Sequence, residues 1–139
     1  ANDPETEDQF GYTTNKVKKK YGSEGGGVAV VMAELTMERG SAGGLGISLA
    51  GHKDRTKMAV LIAGLNPSGR AYSTGQLQVG DEILEVNGVI LQGRCHLNAS
   101  AIIKGLPGPL FKIIALRKAG AIDELSVKPI TQFPLSLKE

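Results

Sequence analysis

The sequence predicts a mainly β domain, with five or six short antiparallel strands forming a sandwich or partly open barrel capped by a short and a long helix. Three observations predict it. Short apolar runs, alternating or continuous, recur between Val31 and Leu116 and are bounded by Gly, Pro and Asn turns. His96 to Lys104 alone carries a sustained helical spacing. The 139 residues, with 19 glycines, 4% aromatic residues and no tryptophan, suit one turn-rich domain with a single core.

In chain order, Val31, Ala33, Leu35 and Met37 alternate with Met32, Glu34, Thr36 and Glu38, the period of a half-buried strand. Ile47 and Leu49 alternate with Ser48 and Ala50. The run Met58 to Leu65 is continuous and suits a strand covered on both faces. It ends at Asn66-Pro67-Ser68-Gly69, where the proline turns Asn66 away from helix. A short helix is expected around Arg70 to Ser73, stopped by Gly75. Glu82 to Val86 forms a strand closed by Asn87-Gly88, a strong hairpin signal, with Val89-Ile90-Leu91 returning. In the long helix Leu97, Ala99, Ile102 and Ile103 recur at helical spacings and Gly105 lies just past the end. Leu110 to Leu116, introduced by Leu106-Pro107-Gly108-Pro109, is the last strand.

Composition divides the chain into three. Residues 1–27 hold an acidic cluster (Asp3, Glu5, Glu7, Asp8), a basic cluster (Lys16, Lys18, Lys19, Lys20) and Gly25-Gly26-Gly27, and are expected to be a flexible N-terminal linker. Residues 28–119 form the domain. Residues 120–139 are a C-terminal tail or linker, in which Ile130, Phe133, Leu135 and Leu137 leave docking open.

A formal charge of +2 argues against a nucleic-acid partner. No run approaches the ~18 apolar residues of a membrane span, and no signal-peptide core is seen. The single cysteine, Cys95, makes no internal disulfide, so a cytoplasmic chain is expected. Gly43-Gly44-Leu45-Gly46 feeding Ile47-Ser48-Leu49-Ala50-Gly51 reads as a backbone cup for an anion, carboxylate or phosphate, at a strand edge. The nucleotide reading lacks the Gly-x-x-x-x-Gly-Lys-Ser/Thr pattern, and the loop feeds a strand rather than a long helix. Two histidines and one cysteine leave few metal or nucleophile arrangements, and no cofactor is expected. Asp81 and Glu82 are strand neighbours that point to opposite faces, which disfavours a carboxylate pair. Cys95 and His96 do not aim at each other, and Asn98-Ala99-Ser100 is a glycosylation triplet placed on a helix.

These segments resemble the PDZ domain family over about 90 residues in order. Gly44-Leu45-Gly46-Ile47 is similar to the family's carboxylate-binding loop, with isoleucine where phenylalanine is usual. Gly75 to Gly88, reading GQLQVGDEILEVNG, is similar to its second signature. Thr6 to Tyr12, Leu49 to Arg55, Gly93 to Ser100 and Asp123 to Val127 resemble an internal repeat of multi-PDZ scaffold proteins.

The resemblance implies a non-catalytic module that binds the C-terminal tails of membrane receptors, channels or adhesion and signalling proteins by strand addition. The carboxylate would be held by Gly44, Leu45, Gly46 and Ile47, with Arg39 acting through water. The groove would use Ile47, Ser48, Leu49, Ala50, His96, Ser100 and Ile103, with Leu45, Ile47, Leu49 and Ile103 walling the terminal pocket. His96 would read a Ser or Thr two residues before a Val, Leu or Ile terminus, while Ser100, often aliphatic in the family, alters the wall. The family also implies a monomeric domain at the inner face of the plasma membrane or at junctions, with membrane contact only through partners. Internal peptides, another PDZ domain or phosphoinositide headgroups near Lys53, Arg55 and Lys57 are the alternative ligands, and a protease's regulatory domain is a remoter alternative.

Overall fold

A computed structural model of the protein describes residues 6–22, 28–37 and 42–131. Six strands, β1 (Val28–Thr36), β2 (Ile47–Ala50), β3 (Leu61–Leu65), β4 (Glu82–Val86), β5 (Val89–Ile90) and β6 (Leu110–Lys118), form one antiparallel sheet. The order is β1-β6-β4-β3-β2, with β5 paired to β4. Helices α1 (Thr14–Tyr21), α2 (Arg70–Thr74) and α3 (His96–Lys104) complete the fold, with a 3-10 turn over Ala42–Leu45 and another over Ala121–Glu124. The main core gathers Leu35, Leu45, Ile62, Ile83, Ile113 and Phe111 under α3 and α2.

Turn chemistry fixes the registers. Asn87 and Gly88 take φ of 51° and 85°, the left-handed pair that a two-residue hairpin requires. The Asn87 side chain also accepts from Lys112 N–H at 2.7 Å and donates to Leu110 C=O at 3.1 Å, tying the hairpin to β6. Gly75, at φ 71°, ends α2 where the sequence predicts.

The flexible-linker reading of residues 1–27 is corrected in its described part, because 14–21 form a third, docked helix. Thr13 caps α1 by accepting from Lys16 N–H at 3.0 Å, and Lys18, Lys19 and Lys20 lie at its C-terminal end, where the helix dipole favours cations. Val17 and Tyr12 are buried with Leu84 and Ile114, and Val30 and Met32 of β1 pack against them. β1 is therefore packed on both faces from Val30 to Ala33, where alternation predicts one.

The docking of α1 is anchored by a carboxylate. Glu85, buried on β4, accepts from Lys20 Nζ at 2.8 Å and from the Tyr21 hydroxyl. Tyr12 Oη in turn accepts from Gly88 N–H at 2.7 Å. Burial raises the Glu85 pKa, but the hydrogen bonds from Lys20 and Tyr21 outweigh it and hold the carboxyl below its ordinary 4.5. A second buried carboxylate, Asp81 at 1% exposure, is gripped through both oxygens by Arg117 at 2.9 and 2.7 Å.

The segment after β6 folds back. Leu125 is buried with Ala50, Leu61 and Ala63, Lys53 N–H donates to Glu124 C=O at 2.7 Å, and Ser126 N–H donates to Gly51 C=O at 3.0 Å. A register shift between Ser48 and Leu49 leaves Ala63 unpaired on β3, and its carbonyl accepts from Ile130 N–H at 2.8 Å. The sequence-based question about Phe133, Leu135 and Leu137 lies outside the described residues.

Removing the guanidinium with Arg117→Ala strands Asp81 and is expected to cost about 3–5 kcal/mol in urea unfolding. Glu85→Gln is expected to cost about 1.5–3 kcal/mol at neutral pH. Because folding depresses the Glu85 pKa, its contribution is complete above pH 4.5 and fades as pH falls through the folded value. The stability gap between wild type and Glu85→Gln should close in acid; a constant gap would contradict the assignment.

Candidate functional site

The site lies where the sheet ends. β2 is the last strand in the order, and the described structure pairs it with β3 alone, so its other edge is open. α3 runs beside that edge and touches both β2 and the 3-10 turn before it. Cys95 caps α3, its Sγ accepting from Asn98 N–H at 3.4 Å, which explains the helix starting at His96. His96, Ser100 and Ile103 then share one face by the i, i+4, i+7 spacing.

Between them opens a cavity of about 290 Å³ lined by Leu45, Gly46, Ile47, Ser48, Leu49, Ser100 and Ile103. Its lining also includes Ile83, Ile113, Asn66 and Lys104. Ile83 and Ile113 were visible as strand residues, but their reaching the groove depends on the sheet order. Asn66 and Lys104 carried no signal beyond ending a strand and a helix.

The loop geometry has a specific cause. Leu45, at 1% exposure, plugs into the main core and draws the turn down onto it. Gly46 then turns at φ 71°, and its carbonyl accepts from Asn66 N–H at 2.8 Å. A Cβ on Gly46 would lie 2.9 Å from Gly69 Cα, and one on Gly69 would lie 2.7 Å from both Gly46 Cα and Leu45 O. Two backbones therefore touch where no side chain fits. At Gly44 the obstacle is softer, a Cβ falling 2.5 Å from the end of the Met37 side chain.

The other expected residues fall as follows. His96 stands half-buried at the far end of the groove, with Nδ1 3.5 Å from the position a Cβ on Gly51 would take. Neither its imidazole nor the Ser100 hydroxyl hydrogen-bonds another described residue. Ala50 is corrected: alternation carries its side chain to the opposite face, against Leu61, Ala63 and Leu125. Leu97, which shares the apolar spacing of α3, is 71% exposed rather than part of the buried face. Arg39 lies outside the described residues. Asp81 and Glu82 do not form a pair, since Asp81 is held by Arg117.

An open sheet edge facing a helix across an apolar cavity is the architecture of a strand-addition module. The PDZ domain family model matches residues 34–116, and the chain belongs to the PDZ domain family. It is a non-catalytic protein-interaction module. It is similar to the Multiple PDZ domain protein of Mus musculus, 46% identical over 129 residues that cover 93% of this chain and 6% of that protein. It is also similar to the Inactivation-no-after-potential D protein of Drosophila melanogaster, 42% identical over 137 residues, 99% of this chain and 19% of that one. The chain therefore spans a small part of the curated relatives it matches. Among solved structures, the crystal structure of MUPP1 PDZ4 superposes with a TM-score of 0.61 at 30% identity, covering 76% of this chain and 87% of that one.

Gly75 provides an internal control for the loop, since it has the same φ of 71° as Gly46 but open space around its Cβ position. Both alanine variants should lose about 1–2 kcal/mol from left-handed strain. Gly46→Ala should lose more because of the contact with Gly69, and equal losses in calorimetry would contradict the close approach.

Proposed function

We propose that the groove between β2 and α3 binds the C-terminal tail of partner proteins as an added antiparallel strand. The observation that carries this reading is the cavity that begins at Leu45, Gly46 and Ile47 and runs between an open strand edge and Ser100 and Ile103 of α3. The terminal carboxylate sits at the backbone N–H groups of Leu45, Gly46 and Ile47, where each charge-assisted bond is worth about 1.5–3 kcal/mol. Arg39 assists through water. The last side chain, Val, Leu or Ile, enters between Leu45, Ile47, Leu49 and Ile103. The His96 imidazole, free of other described partners, accepts or donates to a Ser or Thr hydroxyl two residues earlier.

In the parent protein the module serves a scaffold that gathers receptors, channels or adhesion and signalling proteins into junction, polarity or signalling complexes at the inner face of the plasma membrane. No helix among the described residues is long and apolar enough to cross a membrane, and attachment runs through the bound tails. Affinity falls around micromolar, about −8 kcal/mol, since ordering a flexible tail offsets part of the contact energy.

Titration with a peptide ending in Thr-x-Val, free and amidated, tests the carboxylate. The free acid should bind at least about tenfold tighter, a difference of 1.4 kcal/mol or more; equal affinities would refute the assignment. His96→Ala should erase the preference for Ser or Thr at the third residue from the end, and an unchanged preference would place selectivity elsewhere.

A further inference from the structure

The sheet has a second free end. β1 lies opposite β2 in the strand order, and its pairing with β6 runs without a bulge from Val28 against Lys118 to Thr36 against Leu110. In an antiparallel strand the N–H and C=O of one residue point to the same side, and successive residues alternate. Those of Glu34 point away from β6, because the Gln76 side chain takes both: Oε1 accepts from Glu34 N–H at 2.9 Å and Nε2 donates to Glu34 C=O at 2.9 Å. By the same alternation Val28, Val30 and Met32 direct their backbone groups outward, and no described residue takes them.

This window reads Val-Ala-Val-Val-Met, without a charge, a proline or a glycine. Sheet edges are ordinarily blunted by charges, prolines, bulges or a covering segment. The Glu34 end is blunted in that way, by its own carboxylate and by Gln76; the described residues leave 28–32 bare.

We propose that a second copy of the chain occupies this edge, antiparallel, about a two-fold axis at Val30. Val30 then exchanges both backbone bonds with Val30 of the partner subunit, and Val28 does so with Met32 of the partner subunit. An isologous contact needs a surface complementary to itself. An uncharged strand meets that condition because the operation brings no charge against its like. The Gln76 amide supplies the stop, since Glu34 has no free bonds with which to extend or slip the pairing. The joined sheet keeps β2 of each copy at its outer ends, so both grooves stay open. A dimer would present two binding sites at once, with the avidity that follows. This proposal departs from the sequence-based expectation of a monomeric domain.

Sedimentation equilibrium on the 139-residue chain, from micromolar to millimolar concentration, tests the proposal. The mass should rise from 14.6 kDa toward twice that value. Ala29→Lys places a cation on an exposed position inside the window and should hold the mass at 14.6 kDa, with peptide affinity and unfolding midpoint unchanged. In the wild-type chain, amide exchange at Val28, Val30 and Met32 should slow about tenfold across the same concentration range. A monomer at millimolar concentration, a dimer indifferent to Ala29→Lys, or concentration-dependent protection confined to other residues would each overturn it.

Discussion

The structure depends on one close approach of backbones, Gly46 against Gly69. It joins the loop that enters β2 to the turn that starts α2, at a separation that excludes a Cβ on either side. Leu45 is buried on one side of this contact, and the Asn66 N–H bond to Gly46 C=O closes the other. The loop is thus held by the core and by a neighbouring turn before any ligand arrives. Preorganised donors bind an anion without first losing conformational freedom of their own.

The flanking segments brace the same sheet from its two sides. α1 lies over β4, β6 and β1 through Val17, Tyr12 and the Glu85 hydrogen bonds, while the segment after β6 holds the residues just past β2 through Gly51 and Lys53 and holds β3 through Ala63. Gly51 is also the residue His96 approaches, so the tail steadies the chain at the level of the imidazole. The family model ends at residue 116, yet the similar proteins match over 93% and 99% of the chain.

Legibility in the sequence followed the range of the interactions. The limits of α3 and β4 coincide with the pattern-based limits because local spacing and local turn chemistry set them. α1 was hidden because its anchors are long-range: Tyr21 meets Glu85 across 64 residues and Tyr12 meets Gly88 across 76. Thr13 followed by Val17 and Tyr21, at successive i+4 spacings, was the available local signal, masked by four lysines. Within the site, the glycine loop and the helix face were readable, whereas Asn66, Ile83, Ile113 and Lys104 enter the cavity only through the sheet order. Ala50 was misplaced against the period-two rule itself, which sends it to the face opposite Ile47 and Leu49.

In the proposed complex the loop's backbone N–H groups receive the peptide's terminal carboxylate, with Arg39 assisting through water. Backbone amide shifts recorded by NMR during titration with a C-terminal peptide test it most directly. Large downfield shifts of the Leu45, Gly46 and Ile47 amide protons are expected with the free acid, and their loss with the amidated peptide while shifts along Ser48 to Gly51 persist. Unchanged loop amides on saturation, or identical loop shifts with both peptides, would contradict it.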